Sequence, residues 1–187
     1  MTVRGKFPLI VAFLAAAAIL GALMLHKYLE REPSPRVSAH PKPAGRISVS
    51  LFFASPNSGG LVRESREIGA CGGDLSGCIR DVLEELANGP LGDLSPTIPA
   101  NSIFRSIRIQ GDTAVVTMGK EFLEGLPGGS SAEVTAVYSI VNTLSINFPS
   151  IKRVQFQIEG LDMKTFNGHL DLRAPLSPDF SLETTRG

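Results

Sequence analysis

The chain has 187 residues, with 18 basic and 18 acidic side chains. That length allows one domain or two small ones. A formal net charge of zero argues against a dedicated nucleic-acid binder, whose binding domain would carry a basic excess. Two cysteines are too few for a disulfide scaffold or a self-contained zinc module.

The neutral total conceals an asymmetry. Residues 1–44 carry six Lys/Arg against two acids, net +4, whereas residues 45–187 carry 12 against 16, net −4. Residues 1–6 read as a short cytoplasmic tail. From Phe7 to Leu25, 17 of 19 residues are apolar, interrupted only by Pro8 and Gly21. A helix of that length rises about 28 Å, close to the roughly 30 Å hydrocarbon core of a bilayer. This segment is expected to be a single-pass anchor in the cytoplasmic membrane. A cleaved signal segment is the alternative, with Ala16 and Ala18 as a small-residue site, although the apolar run continues past them. Residues 26–45 contain Pro33, Pro35, Pro41 and Pro43 and read as a proline-rich linker. A folded domain is expected over 46–175, followed by a flexible tail over 176–187.

Within the domain, Ile47 to Phe52 alternates apolar and polar residues, the pattern of a half-buried strand. A turn at Pro56 to Gly60 leads into Leu61 to Ile68, where Arg63, Glu64, Arg66 and Glu67 suggest an exposed or edge strand. Asp74 is a plausible N-cap for a helix carrying Ile79, Val82, Leu83 and Leu86 on one face, ended by Gly89 and Pro90. A stiff loop with Pro96 and Pro99 follows. Ile103, Ile107 and Ile109 begin a strand that turns at Gly111-Asp112 into Thr113 to Met118. Ser130 and Glu133 form a capping-box pattern before a helix with Val134, Val137, Val141, Leu144 and Phe148 on one face. Val154, Phe156 and Ile158 make a further strand ending at Glu159-Gly160, and Leu170 with Leu172 suggests a short last one. The order ββαββαβ predicts an α+β sandwich, with two helices packed on a mainly antiparallel or mixed sheet.

Sites for chemistry are scarce. No GxxxxGK[ST] or GxGxxG pattern surrounds Gly128-Gly129-Ser130, which reads as helix capping rather than phosphate binding. Of three histidines, only His169 lies in the domain, where it reads as a turn or surface residue. No metal site, cofactor site or catalytic set is expected. Glu84, Glu85, Glu121 and Glu124 read as solvated carboxylates. Cys71 and Cys78 enclose a glycine-containing loop, and a disulfide there would pin the loop to the first helix. Such a bond fits an exported domain; two reduced thiols are the alternative.

Several stretches together resemble the GerMN domain family. Val82-Leu83-Glu84-Glu85-Leu86-Ala87-Asn88-Gly89-Pro90 is similar to its helix end, and Pro96-Thr97-Ile98-Pro99-Ala100 to its proline loop. Ala114-Val115-Val116-Thr117, in the second hairpin, resembles one of its strands. Gly129 to Glu133 and Ile140 to Leu144 resemble its long helix. Val154 to Gly160 and Thr165 to Asp171 resemble its closing strand and tail. The resemblance implies an exported α/β module, similar in fold to ring-building motifs of envelope assemblies, with no catalytic residues to transfer. Leu86, Gly89, Pro90, Pro99, Gly129, Glu133, Gly160, Gly168 and His169 are the motif positions it marks as structural or interaction residues. Its implied role is a non-catalytic binding or assembly module of the bacterial cell envelope. The partner would be an envelope protein or a cell-wall component, with the membrane engaged through the N-terminal helix, no nucleic acid, and homo-oligomerisation open. A wall-modifying enzyme using paired carboxylates and a small-ligand sensor are the competing readings.

Overall fold

The computed structural model describes residues 18–24, 26, 45–57 and 59–185. The chain divides into two units, 1–40 and 41–187. In the first, residues 18–24 and 26 are helical and exposed. Most of the anchor expected over 7–25, and nearly all of the linker expected over 26–45, lie outside the described residues. Among the described residues, no helix is long and apolar enough to cross a membrane.

The second unit runs β1 (Arg46–Ala54), β2 (Leu61–Gly69), α1 (Leu75–Ala87), β3 (Phe104–Gln110), β4 (Thr113–Met118), α2 (Glu121–Gly125), α3 (Ser130–Asn147), β5 (Arg153–Ile158) and β6 (Leu161–Asp162). The α+β fold agrees with the sequence expectation, and the expected order ββαββαβ is present with two additions, the short helix α2 and the two-residue strand β6. The strands form two sheets, the antiparallel hairpin β1-β2 and a four-stranded sheet ordered β3-β4-β5-β6. The β4-β5 pair is parallel, with α2 and α3 as its crossover, so the larger sheet is mixed. All six residues of β4 are buried, as a central strand covered on both faces requires.

Helices α1 and α3 touch each other and both sheets: α1 lies on β1 and β3, and α3 on β1 and β5. The core collects at these contacts from Leu51, Phe53, Ile79, Leu83, Val116, Val137, Ile140, Leu144 and Phe156, all essentially inaccessible to water. Because α3 has neighbours on several sides, Ser139, Asn142 and Thr143 are buried with its apolar face. Their polar atoms have specific partners. The Phe52 N–H donates to Thr143 Oγ1 at 3.1 Å, and Asn147 both accepts from Ser50 N–H (2.8 Å) and donates to its carbonyl (2.7 Å). These side chains complete the free edge of β1, whose backbone groups would otherwise be buried without partners.

Asp74 caps α1 as expected, its carboxylate accepting from the N–H groups of Ser76 and Gly77 at 3.1 Å each. Gly89 ends the helix with φ +82°, a left-handed conformation that a side chain would strain. Cys71 and Cys78 are joined in a disulfide, with Cα atoms 5.1 Å apart. Closing so short a loop restricts the unfolded chain by about 2–3 kcal/mol. Replacing both cysteines by serine is therefore expected to lower unfolding free energy by about that amount; denaturant titration checks this, and an unchanged midpoint would contradict it.

Four expectations are corrected. The Leu170 and Leu172 pair forms no strand; Leu172 is held in a loop by its N–H to Lys164 O (2.8 Å). Residues 176–185 are not a loose tail. Leu176 bridges Val154, Asp179 exchanges two hydrogen bonds with buried Asn142, and Thr184 N–H donates to Leu61 O at 2.7 Å. Ser130 is not the N-cap of α3: Gly129 takes that place, with no side-chain cap, so no capping box forms with Glu133. Finally, Arg66 is buried rather than solvated. Its side chain is 5% exposed and bonds Glu64, Glu85 Oε1 (3.0 Å) and Gly89 O (3.0 Å), 5.6 Å above the Phe53 ring.

Candidate interaction groove

The motif positions separate into three places. Leu86, Gly89 and Pro90 terminate α1, with Leu86 in the core. Gly160 belongs to the two-residue turn between β5 and β6, where Glu159 (φ +51°) and Gly160 (φ +84°) are both left-handed. This is the backbone a tight hairpin requires. The other positions converge at the start of α3.

There, the Pro96–Ala100 loop faces residues 127–132 across an open groove of about 810 Å3. One wall is Pro96, Thr97, Ile98 and Pro99; the other is Pro127, Gly129, Ser131 and Ala132. The lining carries no charged side chain. Thr97 and Ile98 are buried beneath the loop, while Pro96, Ala100 and residues 127–131 are exposed. The fold thus offers an uncharged surface mixing apolar rings with hydroxyls. Such a surface presents apolar contact area together with hydroxyl hydrogen-bonding groups.

Glu133, one turn into α3, anchors the second wall from behind. Its side chain is fully buried. Oε1 accepts from Thr165 Oγ1 (2.6 Å) and Phe166 N–H (2.8 Å), and Oε2 accepts from His169 N–H (2.9 Å). Burial pushes this carboxyl upward, but the Thr165 hydroxyl and the N–H groups of Asn167, His169 and Phe166 outweigh it and hold the group below its ordinary value. Asn167 extends the clasp by donating to Pro127 O at 3.0 Å, directly on the groove wall. Phe166 packs edge-on against Phe122 of α2 and Phe156 of β5, with ring centroids 5.1 and 5.6 Å away. His169 contributes its backbone N–H and leaves its ring exposed, so the turn-or-surface reading describes it correctly. Gly168 sits in the clasp at φ +91°. Among the described residues, no group of three or more His, Cys, Asp or Glu side chains could hold a metal ion.

Gly125 was not marked by the sequence. A Cβ built on it would lie 2.8 Å from Pro99 Cβ and 3.1 Å from Asn101 Oδ1. Only a missing side chain lets the end of α2 approach the proline loop this closely. Gly125→Ala is expected to displace the loop and cost about 1–3 kcal/mol, the usual range for overpacking. Amide chemical shifts of Thr97 to Ala100 should move while those of β1 stay in place; unchanged loop shifts would contradict the packing described.

The protein class that this fold defines is the GerMN-type α+β domain. The first GerMN domain of the sporulation protein GerM from Bacillus subtilis superposes with a TM-score of 0.51 at 20% identity, covering 71% of this chain and 96% of that one. The tandem GerMN domains of the same protein give 0.56 at 20% identity, with 71% of this chain and 46% of that one covered. A Clostridium perfringens protein provisionally assigned as a lipoprotein gives 0.50 at 22% identity, with 71% and 88% covered. The family model described as sporulation and spore germination (Germane) matches residues 50–164, and the chain belongs to that family. No curated protein matches the sequence.

Proposed function

We propose that this protein is a membrane-tethered, extracytoplasmic module of the bacterial cell envelope. It binds an envelope protein or a wall component through the groove between the proline loop and the start of α3, without catalysis. The observation that carries this reading is the convergence of two family-motif stretches, Pro96–Ala100 and residues 129–133, on one open recess. The rigid backing from Glu133 supports a preformed binding surface, since ordering costs are then met before the partner arrives. The Cys71–Cys78 disulfide supports an oxidising compartment. The apolar run from Phe7 to Leu25 supports the tether, and the domain's net −4 charge disfavours anionic lipid or nucleic acid as its ligand.

The compartment is tested on spheroplasts expressing the full chain. External protease should degrade the domain, and membrane-impermeant thiol reagents should label Cys71 and Cys78 only after reduction. A protected domain with two freely reactive thiols would overturn the topology. Hydrolysis of isolated peptidoglycan that disappears on replacing domain carboxylates would overturn the non-catalytic reading.

A further inference from the structure

Strand β2 leaves one edge open, and its sequence is complementary to itself. The opposed residues Ala54 and Leu61 set the phase of the hairpin. Ala54 exchanges both backbone bonds with Ser95, and the Leu61 carbonyl accepts from Thr184, so both residues point their polar groups away from their mutual ladder. Counting by twos, Arg63, Ser65 and Glu67 also direct N–H and C=O away from β1. Among the described residues, the C-terminal segment covers this edge at Leu61 and no recorded hydrogen bond occupies it from Arg63 to Glu67. The side chains of Arg63, Ser65 and Glu67 are exposed.

We propose that β2 pairs with β2 of a second copy of this chain, antiparallel and centred on Ser65. Residues 63–67 read Arg-Glu-Ser-Arg-Glu. In that register, Arg63 faces Glu67 of the second copy, Glu64 faces its Arg66, and Ser65 faces Ser65. Every charge therefore meets its opposite. A shift of two residues in either direction places Arg66 on Arg66 or Glu64 on Glu64, and a parallel in-register pairing sets every like charge together. Opposite charges directly across a strand pair stabilise it and like charges oppose it. Edge charges usually block pairing between copies; this arrangement blocks the wrong registers and admits one. Arg63 already pairs with Glu183 at 2.7 Å, and Glu67 with Arg46 at 3.4 Å. Pairing two copies would join these contacts into a row of alternating sign: Glu183, Arg63, then Glu67 and Arg46 of the second copy. The three outward residues of each strand supply six backbone hydrogen bonds, and the two hairpins become one four-stranded sheet. This inference does not depend on the groove.

The test uses the full chain in its native membrane. In Ser65→Cys, the two introduced thiols would lie on a hydrogen-bonded pair with Cα atoms about 5.5 Å apart, within disulfide range. Mild oxidation should yield a covalent dimer. Ser48→Cys, exposed at the start of β1, is the control: its counterpart would lie three strand spacings across, about 14 Å, and four residues along, about 13 Å, and should not cross-link. In the Ser65→Cys background, Arg63→Glu alone or Glu67→Arg alone should reduce the cross-linked fraction at least tenfold. The double reversal, or a mixture of the two single variants, should restore it. Thermal unfolding of each variant checks folding, and recovery in the mixture shows that the variant chains remain competent. No dimer from Ser65→Cys, cross-linking indifferent to the reversals, or a thiol captured by a different protein would each overturn the proposal.

Discussion

Glu133→Ala is expected to destabilise the domain by about 3–5 kcal/mol, the range associated with stranding several buried partners. The carboxylate is fully buried at the centre of a clasp donated by Thr165, Phe166 and His169. Removing it leaves a hydroxyl and backbone N–H groups facing a void, and each unsatisfied group costs about 1–3 kcal/mol. Glu133→Gln should be nearly as damaging despite its shape. An amide supplies one acceptor oxygen, and its NH2 would face a backbone donor wherever it is placed. The same geometry sets a pH dependence. The folded carboxyl titrates below its ordinary value of 4.5, so its stabilisation is fully present above that value and is lost as pH falls through the lower folded one. Urea unfolding followed from pH 7 to pH 3 should therefore show a steeper acid loss in the parent than in Glu133→Gln. Parallel curves would contradict the clasp.

Arg66→Met is expected to cost about 3–5 kcal/mol, because truncating one member of a buried ion cluster leaves the others unpaired. Glu64, 10% exposed, would lose its cation, and Gly89 O its donor at the end of α1. Leu91 N–H would still contact Glu64 Oε1 at 3.3 Å, too little to compensate a buried carboxylate. Arg66→Lys should recover only part of the loss, since one ammonium cannot reproduce the fork that reaches Glu64, Glu85 and the Gly89 carbonyl together. Combining Arg66→Met with Glu64→Gln should be less destabilising than Arg66→Met alone. Chemical denaturation of this set checks the cluster, and simple additivity of the two changes would count against it.

These two residues show where sequence reading stopped. Helices α1 and α3 and the main strands were legible because their apolar residues recur at spacings of three to four or of two. Asp74 and Gly89 were legible because capping is local in the chain. Glu133 carried a local signal too, a serine three residues before it, but its partners lie 32 to 36 positions ahead. Nothing in a capping pattern reports a contact at that distance. Arg66 sits in an alternating charged run that resembles a solvated strand, yet its guanidinium reaches Glu85 and the Gly89 carbonyl at the end of α1 and is buried there. The short helix α2 lacked enough residues to display a period; Phe122 is its one buried residue, with Leu123 packed against the core beside it. The 176–185 segment looked unstructured because its attachments are isolated points with no repeating pattern: Leu176 on β5, Asp179 on Asn142 and Glu183 on Arg63. The groove inherits the same division. Its motif residues were visible one by one, but their convergence was visible only in the fold.

The binding role is tested most directly by photo-crosslinking from the groove in native membranes. A photoreactive residue placed at Ser131 would sit on the groove wall. One placed at Lys152 would sit beyond the far end of α3, an 18-residue helix about 27 Å long. The account predicts a discrete adduct with an envelope protein or wall fragment from position 131 and none from position 152. No adduct from 131, or the same adduct from both positions, would contradict it.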